Sequence, residues 1–236
     1  MSGRKDPVLK RALRDTLPVL WGYAVLGIGF GLLMRSSGFS PVWTLMMSLF
    51  IYAGAMQYLA VSLLLGGVPL ITCALMTLMV NARHLFYGIS MVKPYRDAGR
   101  IRPYLIFGLT DETYSLVCRD DSEFAGAERT RYFRDVTALD HLYWVLGSVL
   151  GSLAGEVLPF DTRGVEFALT AMFITLFCDR WLRKEDRLSC VIGALSALLC
   201  LLLFGKDRFL IPAMALIAVL LLLPVPKKER GNADEG

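Results

Sequence analysis

The chain has few of the residues on which soluble proteins and metal sites depend. Charged residues fill only 19% of its 236 positions, while 55% are hydrophobic and mean hydropathy is +0.52. A soluble domain of this length carries a more even mixture, so a soluble globular domain is excluded. The net charge of +4 is spread over many loops rather than gathered on one face. That points to membrane topology and anionic lipid headgroups, and away from nucleic acid. The five cysteines, Cys73, Cys118, Cys178, Cys190 and Cys200, are odd in number and form no C-x-x-C pair. They read as small apolar fillers, and neither a disulfide framework nor a zinc site is expected. The two histidines, His84 and His141, lie 57 positions apart. G-x-S-x-G, H-E-x-x-H, G-x-G-D and any ATP-binding motif are absent, so an enzyme is disfavoured and neither cofactor nor metal is expected.

What the chain does have is apolar length. Eight apolar segments follow one another at about 17–34, 41–65, 68–92, 103–118, 137–158, 164–180, 188–204 and 209–224. Most approach the roughly 20 residues that cross about 30 Å of hydrocarbon. The expected fold is an all-α polytopic transmembrane helix bundle. Residues 1–16 form a cytoplasmic or interfacial N-terminal helix, 17–224 one transporter domain, and 225–236 a cytoplasmic tail. The run Leu17 to Met34 is too long for a signal-peptide core and lacks a small-x-small cleavage site after it, so it reads as a retained span. The fourth segment is short and carries two acids; it crosses as a broken helix, or dips in and returns. With eight crossings and the N-terminus inside, sixteen Lys/Arg fall inside and eight outside, with Arg83 in the membrane. The positive-inside rule then places both termini in the cytoplasm. Lys93, Arg96, Arg100 and Arg102 would lie outside against the rule, which keeps seven crossings plus a re-entrant piece open.

A weak repeat is visible. Val25 to Leu33 aligns with Val145 to Leu153, five identities in nine, and Phe50-Ile51 echoes Phe173-Ile174. Internal duplication is common in transporters, and four spans per half would make the repeats parallel. Gly27/Gly31 and Gly147/Gly151/Gly155 form small-xxx-small faces, which favour helix packing.

Ionisable groups inside apolar segments cost about 2.5–3.5 kcal/mol each on insertion scales, so they face partners or wet cavities. Three stretches hold such polar chemistry. In Asn81-Ala82-Arg83-His84-Leu85-Phe86-Tyr87-Gly88, Arg83 either clamps a substrate carboxylate or pairs permanently with Asp111 or Glu112. His84 is either a proton carrier or a packed neutral ring. In Gly108-Leu109-Thr110-Asp111-Glu112-Thr113, two adjacent acids suit a group that loads and unloads a proton, or one pairs Arg83 and the other caps a helix. In Ala53-Gly54-Ala55-Met56-Gln57-Tyr58, small residues allow the backbone to unwind and offer N–H or C=O groups, with Gln57 as a neutral contact. Asp140, Glu166 and Asp179 lie near span ends and read as interfacial.

These stretches, A-G-A-x-Q-Y, N-x-R-H-L-F-Y-G and T-D-E-x-Y, together with Tyr143 to Gly147 and Phe167 to Ile174, resemble the AzlC family from about Gly22 to Ile174. Glu166 stands where the family is expected to carry Asp. The resemblance implies the large subunit of a two-component branched-chain amino acid exporter, in the inner membrane with a small hydrophobic AzlD-type subunit. The residue roles come from the physical reading of the three stretches and not from the resemblance: a substrate site of Gly54, Gln57, Tyr58, Asn81, Arg83, Phe86 and Tyr87, with His84, Asp111 and Glu112 in coupling to a proton or the membrane potential. A non-transporting assembly or sensor subunit and an intramembrane enzyme are the rival readings.

Overall fold

A computed structural model of the chain describes residues 6–118, 124–157, 174, 177–178, 181–182, 187–205 and 209–222. Among the described residues all regular structure is helical. Glu166, Phe173, Asp179 and the tail over 225–236 lie outside them. The chain divides into two compact units, Met1–Thr170 and Ala171–Gly236.

The first unit holds α1 (Pro7–Ser36), α2 (Pro41–Phe50), α3 (Gly54–Leu65), α4 (Leu70–Val80), α5 (Ala82–Met91), α6 (Arg102–Phe107), α7 (Asp111–Val117) and α8 (Gly126–Val157). In the second unit, α9 (Arg187–Phe204) packs on α10 (Leu210–Leu222). Helix α1 starts at an Asp6 cap with Pro7 in its first turn, the position where a missing N–H costs nothing. It runs unbroken through Leu17, so the expected interfacial stretch and the first span are one helix.

Helices α1 and α8 lie side by side and run in the same direction. Arg131 pairs with Asp6 near their N-termini, and Arg35 reaches Glu156 at 3.2 Å near their C-termini. Between these ends the backbones touch through glycine. A Cβ on Gly27 would sit 3.0 Å from the Ser148 nitrogen, and one on Gly31 or Gly151 would overlap the backbone of Ser148 or Ile28. The two stretches of the sequence repeat therefore pack on each other, as small-xxx-small faces do.

Contacts along this pair fix the passage of every segment between. Helix α2 starts from the far end, where Thr44 bonds Ser152, and descends until the Ser48 carbonyl lies 3.3 Å from His141. The chain breaks at Ile51 to Ala53. Helix α3 then climbs back, from Gly54 against Trp144 to Tyr58, whose hydroxyl donates to the Leu26 carbonyl at 2.6 Å. Helices α4 and α5 form a crossing bent by 45° at Asn81. This crossing ends with Met91 in a cluster holding Val8, Ala12, Tyr132 and Phe133. Tyr95 and Ala98 belong to the same cluster, as do Leu105, Leu109 and Val117. Helices α6 and α7 therefore enter and leave at the N-terminal end of α1 and α8. At about 1.5 Å per residue, neither is long enough to cross.

Eight crossings are not found among the described residues; segment 103–118 takes the re-entrant alternative, and segment 164–180 lies largely outside them. Segments 41–65 and 103–118 turn back at their breaks as hairpins from opposite ends, while α1 and the bent α4–α5 pair have the length and composition to cross and α8 lies alongside α1. By length and composition, Pro7–Ser36 and Arg187–Phe204 qualify singly as spans, and α4–α5 qualifies as a bent pair. Helix α8 follows α1 along its length. Placing residues 93–102 beside the N-terminus removes their conflict with the positive-inside rule. Lys10, Arg11, Arg14, Lys93, Arg96, Arg100, Arg102, Arg129, Arg131 and Arg134 all gather at this end, against Arg35 at the other. Large apolar side chains such as Trp21, Val25, Trp43, Phe50, Leu70 and Ile89 stand exposed, as a lipid-facing surface requires.

Two measurements check this arrangement. In a cysteine-free background, Asp97→Cys should react with an impermeant thiol reagent from the same side of the membrane as the N-terminus, and Ser37→Cys from the opposite side. Gly31→Ala or Gly151→Ala should destabilise the protein by about 1–3 kcal/mol through overpacking. Gly22→Ala, where a Cβ meets nothing within 4 Å, should leave thermal stability unchanged.

Candidate functional site

The breaks at Ile51 to Ala53 and Gly108 to Thr110, with the bend at Asn81, converge on one cleft. Its volume is about 420 Å³, within the range of small-molecule sites. Ile51, Tyr52, Ala53, Asn81, His84, Leu85, Ile106, Phe107 and Leu109 line it, with Thr77, Leu78 and Gly88. The hairpin tips meet here, with the Tyr52 and Phe107 rings 6.1 Å apart and Tyr52 4.3 Å from the His141 ring. The chain breaks that border the cleft meet α8 between Thr137, which lies against Gly108, and Trp144, which lies against Gly54.

Local sequence explains each break. Tyr52 adopts φ 42°, a left-handed conformation that an aromatic residue holds only under constraint from its surroundings. Ala53 and Gly54 let the restarted helix approach Trp144, because any Cβ on Gly54 would meet that ring at 3.0 Å. Asn81 ends α4 and opens α5 without a side-chain cap. Ala53 likewise precedes α3 with no side-chain cap. Thr110 does cap α7, accepting from the Thr113 N–H at 3.3 Å, and places Asp111 and Glu112 in the first turn where the helix dipole favours anions.

The structure separates the expected site residues into three groups. Asn81 and His84 line the cleft. Gly54, Gln57 and Tyr58 stand behind its wall. Gln57 is fully buried with its carbonyl oxygen accepting from the Trp144 Nε1–H at 2.9 Å, and Tyr58 is held by Leu26. Arg83 and Asp111 form a salt bridge at 2.6 Å, half-buried beside the cleft. Tyr87 stacks on Tyr114 at 4.5 Å, while Phe86 is 64% exposed and off the cleft.

The two adjacent acids are not equivalent. Asp111 faces Arg83, whereas Glu112 Oε2 accepts from the Tyr23 hydroxyl at 2.8 Å. Asp140 departs from its interfacial assignment. It is completely buried on α8, accepts from Thr113 Oγ1 at 2.8 Å, and has its other carboxyl oxygen without a hydrogen-bond partner. His141 also belongs here, bridging Tyr104 and the Ser48 carbonyl at 3.3 Å each. Position near a span end concealed both residues. The two titratable groups adjacent at the start of an apolar run were the available signal. Among the described residues, no group of His, Cys, Asp and Glu is placed to hold a metal ion.

Separating Arg83 from Asp111 strands a charge in a poorly hydrated site. Arg83→Ala and Asp111→Ala should each lower thermal stability, while the double variant should be more stable than either single variant. Melting curves of the four proteins in one detergent test this.

Residues 18–158 match the family described as AzlC protein. The chain is 41% identical over 225 residues to the branched-chain amino acid transport protein AzlC of Bacillus subtilis, covering 95% of this chain and 87% of that one. It is 38% identical over 215 residues to an uncharacterized membrane protein of Haemophilus influenzae, with 91% and 88% covered. It is 28% identical over 214 residues to the inner membrane protein YgaZ of Escherichia coli, with 87% and 84% covered. No solved structure matches the chain.

Proposed function

The chain belongs to the AzlC family, and we propose that it exports branched-chain amino acids across the inner membrane, working with a small hydrophobic AzlD-type subunit. The observation that carries this reading is the cleft at the helix breaks. Its apolar lining of Ile51, Leu78, Leu85, Ile106, Phe107 and Leu109 suits a branched hydrocarbon side chain. Its polar groups are few, as expected of a site that orients one small zwitterion.

The uncapped N-termini of α3 and α5 offer backbone N–H groups and a positive dipole end for the substrate carboxylate. The carbonyl ends of α2, α4 and α6 suit the ammonium, and Asn81 contributes a neutral polar contact. In this arrangement Arg83 stays with Asp111, and the pair steadies α5 against α7 instead of holding substrate. The cationic end of α1 and α8 faces the cytoplasm by the positive-inside rule, which places the N-terminus inside. The proton gradient or the membrane potential supplies the driving force.

Counterflow of radiolabelled valine in vesicles carrying the chain and its partner tests this directly. Gly88 lines the cleft with open space at its Cβ position. Gly88→Leu should therefore abolish counterflow while leaving the melting temperature unchanged. Valine counterflow by the partner alone would favour the non-transporting reading. Turnover of a substrate by protein in detergent, without a second compartment, would favour an intramembrane enzyme.

A further inference from the structure

We propose that Glu112 and Asp140 share one proton through a wire of three hydroxyls, and that this pair is the coupling element of the transporter. The proposal rests on the transport reading for its role and on geometry alone for its existence. Four oxygen-to-oxygen links join the two acids. Glu112 Oε2 lies 2.8 Å from the Tyr23 hydroxyl, which lies 2.8 Å from Thr110 Oγ1. Thr110 Oγ1 lies 3.2 Å from Thr113 Oγ1, which lies 2.8 Å from Asp140 Oδ2.

Proton counting decides the occupancy. Each hydroxyl has one proton to donate, so Tyr23, Thr110 and Thr113 fill three links. With both acids ionised, Tyr23 and Thr113 donate outward to the carboxylates. Thr110 then has one proton for two oxygen neighbours, and one link is left as lone pair against lone pair. A fourth proton, on either acid, fills all four links. Asp140 supports the same conclusion. A permanent carboxylate there would have one hydrogen bond for two buried oxygens, an expensive arrangement.

The shared proton moves without further reagents. From Glu112–H, each O–H bond along the wire breaks as the next forms: Glu112 to Tyr23, Tyr23 to Thr110, Thr110 to Thr113, Thr113 to Asp140. One proton arrives at Asp140, the negative charge appears on Glu112, and nothing is oxidised or reduced. The wire also joins three separate elements, because Tyr23 sits on α1, the threonines on the α6–α7 hairpin and Asp140 on α8. A shift of the hairpin tip against either long helix opens a link and traps the proton at one end. The titratable groups facing the wire are Tyr52 from the opposing hairpin tip, Tyr104 from α6, Asp111 with its Arg83 partner, and His141 beside Asp140.

Infrared difference spectra of the full chain with its partner in lipid nanodiscs read the carboxyl C=O stretch directly, with no substrate present. At neutral pH a protonated-carboxyl band should appear, and Asp140→Asn and Glu112→Gln should each remove it. In either variant the introduced amide N–H supplies the fourth proton and the remaining acid ionises. Thr113→Val, similar in shape but without the hydroxyl, should make the band independent of one of the two acids; Thr113→Ser should restore the wild-type response. In vesicles, Thr113→Val should lower pH-driven efflux on the order of a hundredfold while retaining counterflow, the scale of a lost proton-transfer group. Where an acid variant fails to fold, the Thr113 pair decides. A wild-type band absent at neutral pH, or one insensitive to Thr113→Val, overturns the proposal. Absence of valine counterflow in the wild type would instead overturn the transport reading and leave the infrared result standing.

Discussion

The close approach of α1 and α8 sets the frame for the first unit. Lipid tails are as apolar as leucine, so helices in a membrane gain little by hiding hydrocarbon and associate through packing and polar contacts. Gly27 and Gly31 facing Gly147 and Gly151 bring two backbones together, and the end pairs Asp6–Arg131 and Arg35–Glu156 hold the register. Because the two helices run in parallel, the chain between them must make a net return across the membrane. One bent crossing and two hairpins satisfy that condition, each hairpin returning to the end where it began.

Hairpins inside a bilayer carry a cost that long helices avoid. At each turn the backbone leaves the helical ladder, and its N–H and C=O groups have no water to turn to. Such turns persist where protein encloses them or where they border a cavity. Here both tips and the α4–α5 bend border the same cleft, so the places where the backbone is least satisfied coincide with the space open to a ligand. The side chains around the tips form a polar layer: Tyr23, Thr110, Glu112, Thr113 and Asp140 are joined by hydrogen bonds of 2.8–3.2 Å, and beside them Tyr104 lies 3.3 Å from His141. This layer ties the lower hairpin to α1 and α8, and the Ser48 and Tyr52 contacts with His141 bring in the upper one.

Much of this was legible in the sequence, for identifiable reasons. Charge compensation predicted a partner for Arg83, and Asp111 is that partner. The small residues Ala53 and Gly54 marked a place where a helix can unwind, and the helix restarts at Gly54. The glycine faces of the repeat signalled packing and do pack. The direction of passage was not legible. A hairpin and a crossing both read as one apolar run, and Ile51-Tyr52-Ala53 contains neither glycine nor proline to mark a turn; the reversal rests on the φ of Tyr52. Residues 93–102 held a usable clue in their four cations. Asp140 was hidden because hydropathy along α8 shows where the helix enters the membrane, and not that the α6–α7 hairpin folds over that level and seals it.

The three acids near the lower hairpin tip divide by the partner each meets. Asp111 meets a guanidinium, and the two charges cancel wherever the hairpin moves, so long as α5 moves with it. Glu112 and Asp140 meet hydroxyls, which donate or accept with equal ease and therefore impose no fixed charge on either acid. A cation beside Asp140 would hold it ionised; an apolar wall would hold it neutral. A threonine does neither, and leaves the outcome to the other end of the wire. The single step in sequence from Asp111 to Glu112 thus separates a fixed electrostatic tie from a group whose charge can follow the position of the hairpin, and it does so because consecutive residues on α7 point about 100° apart, one towards α5 and the other towards α1.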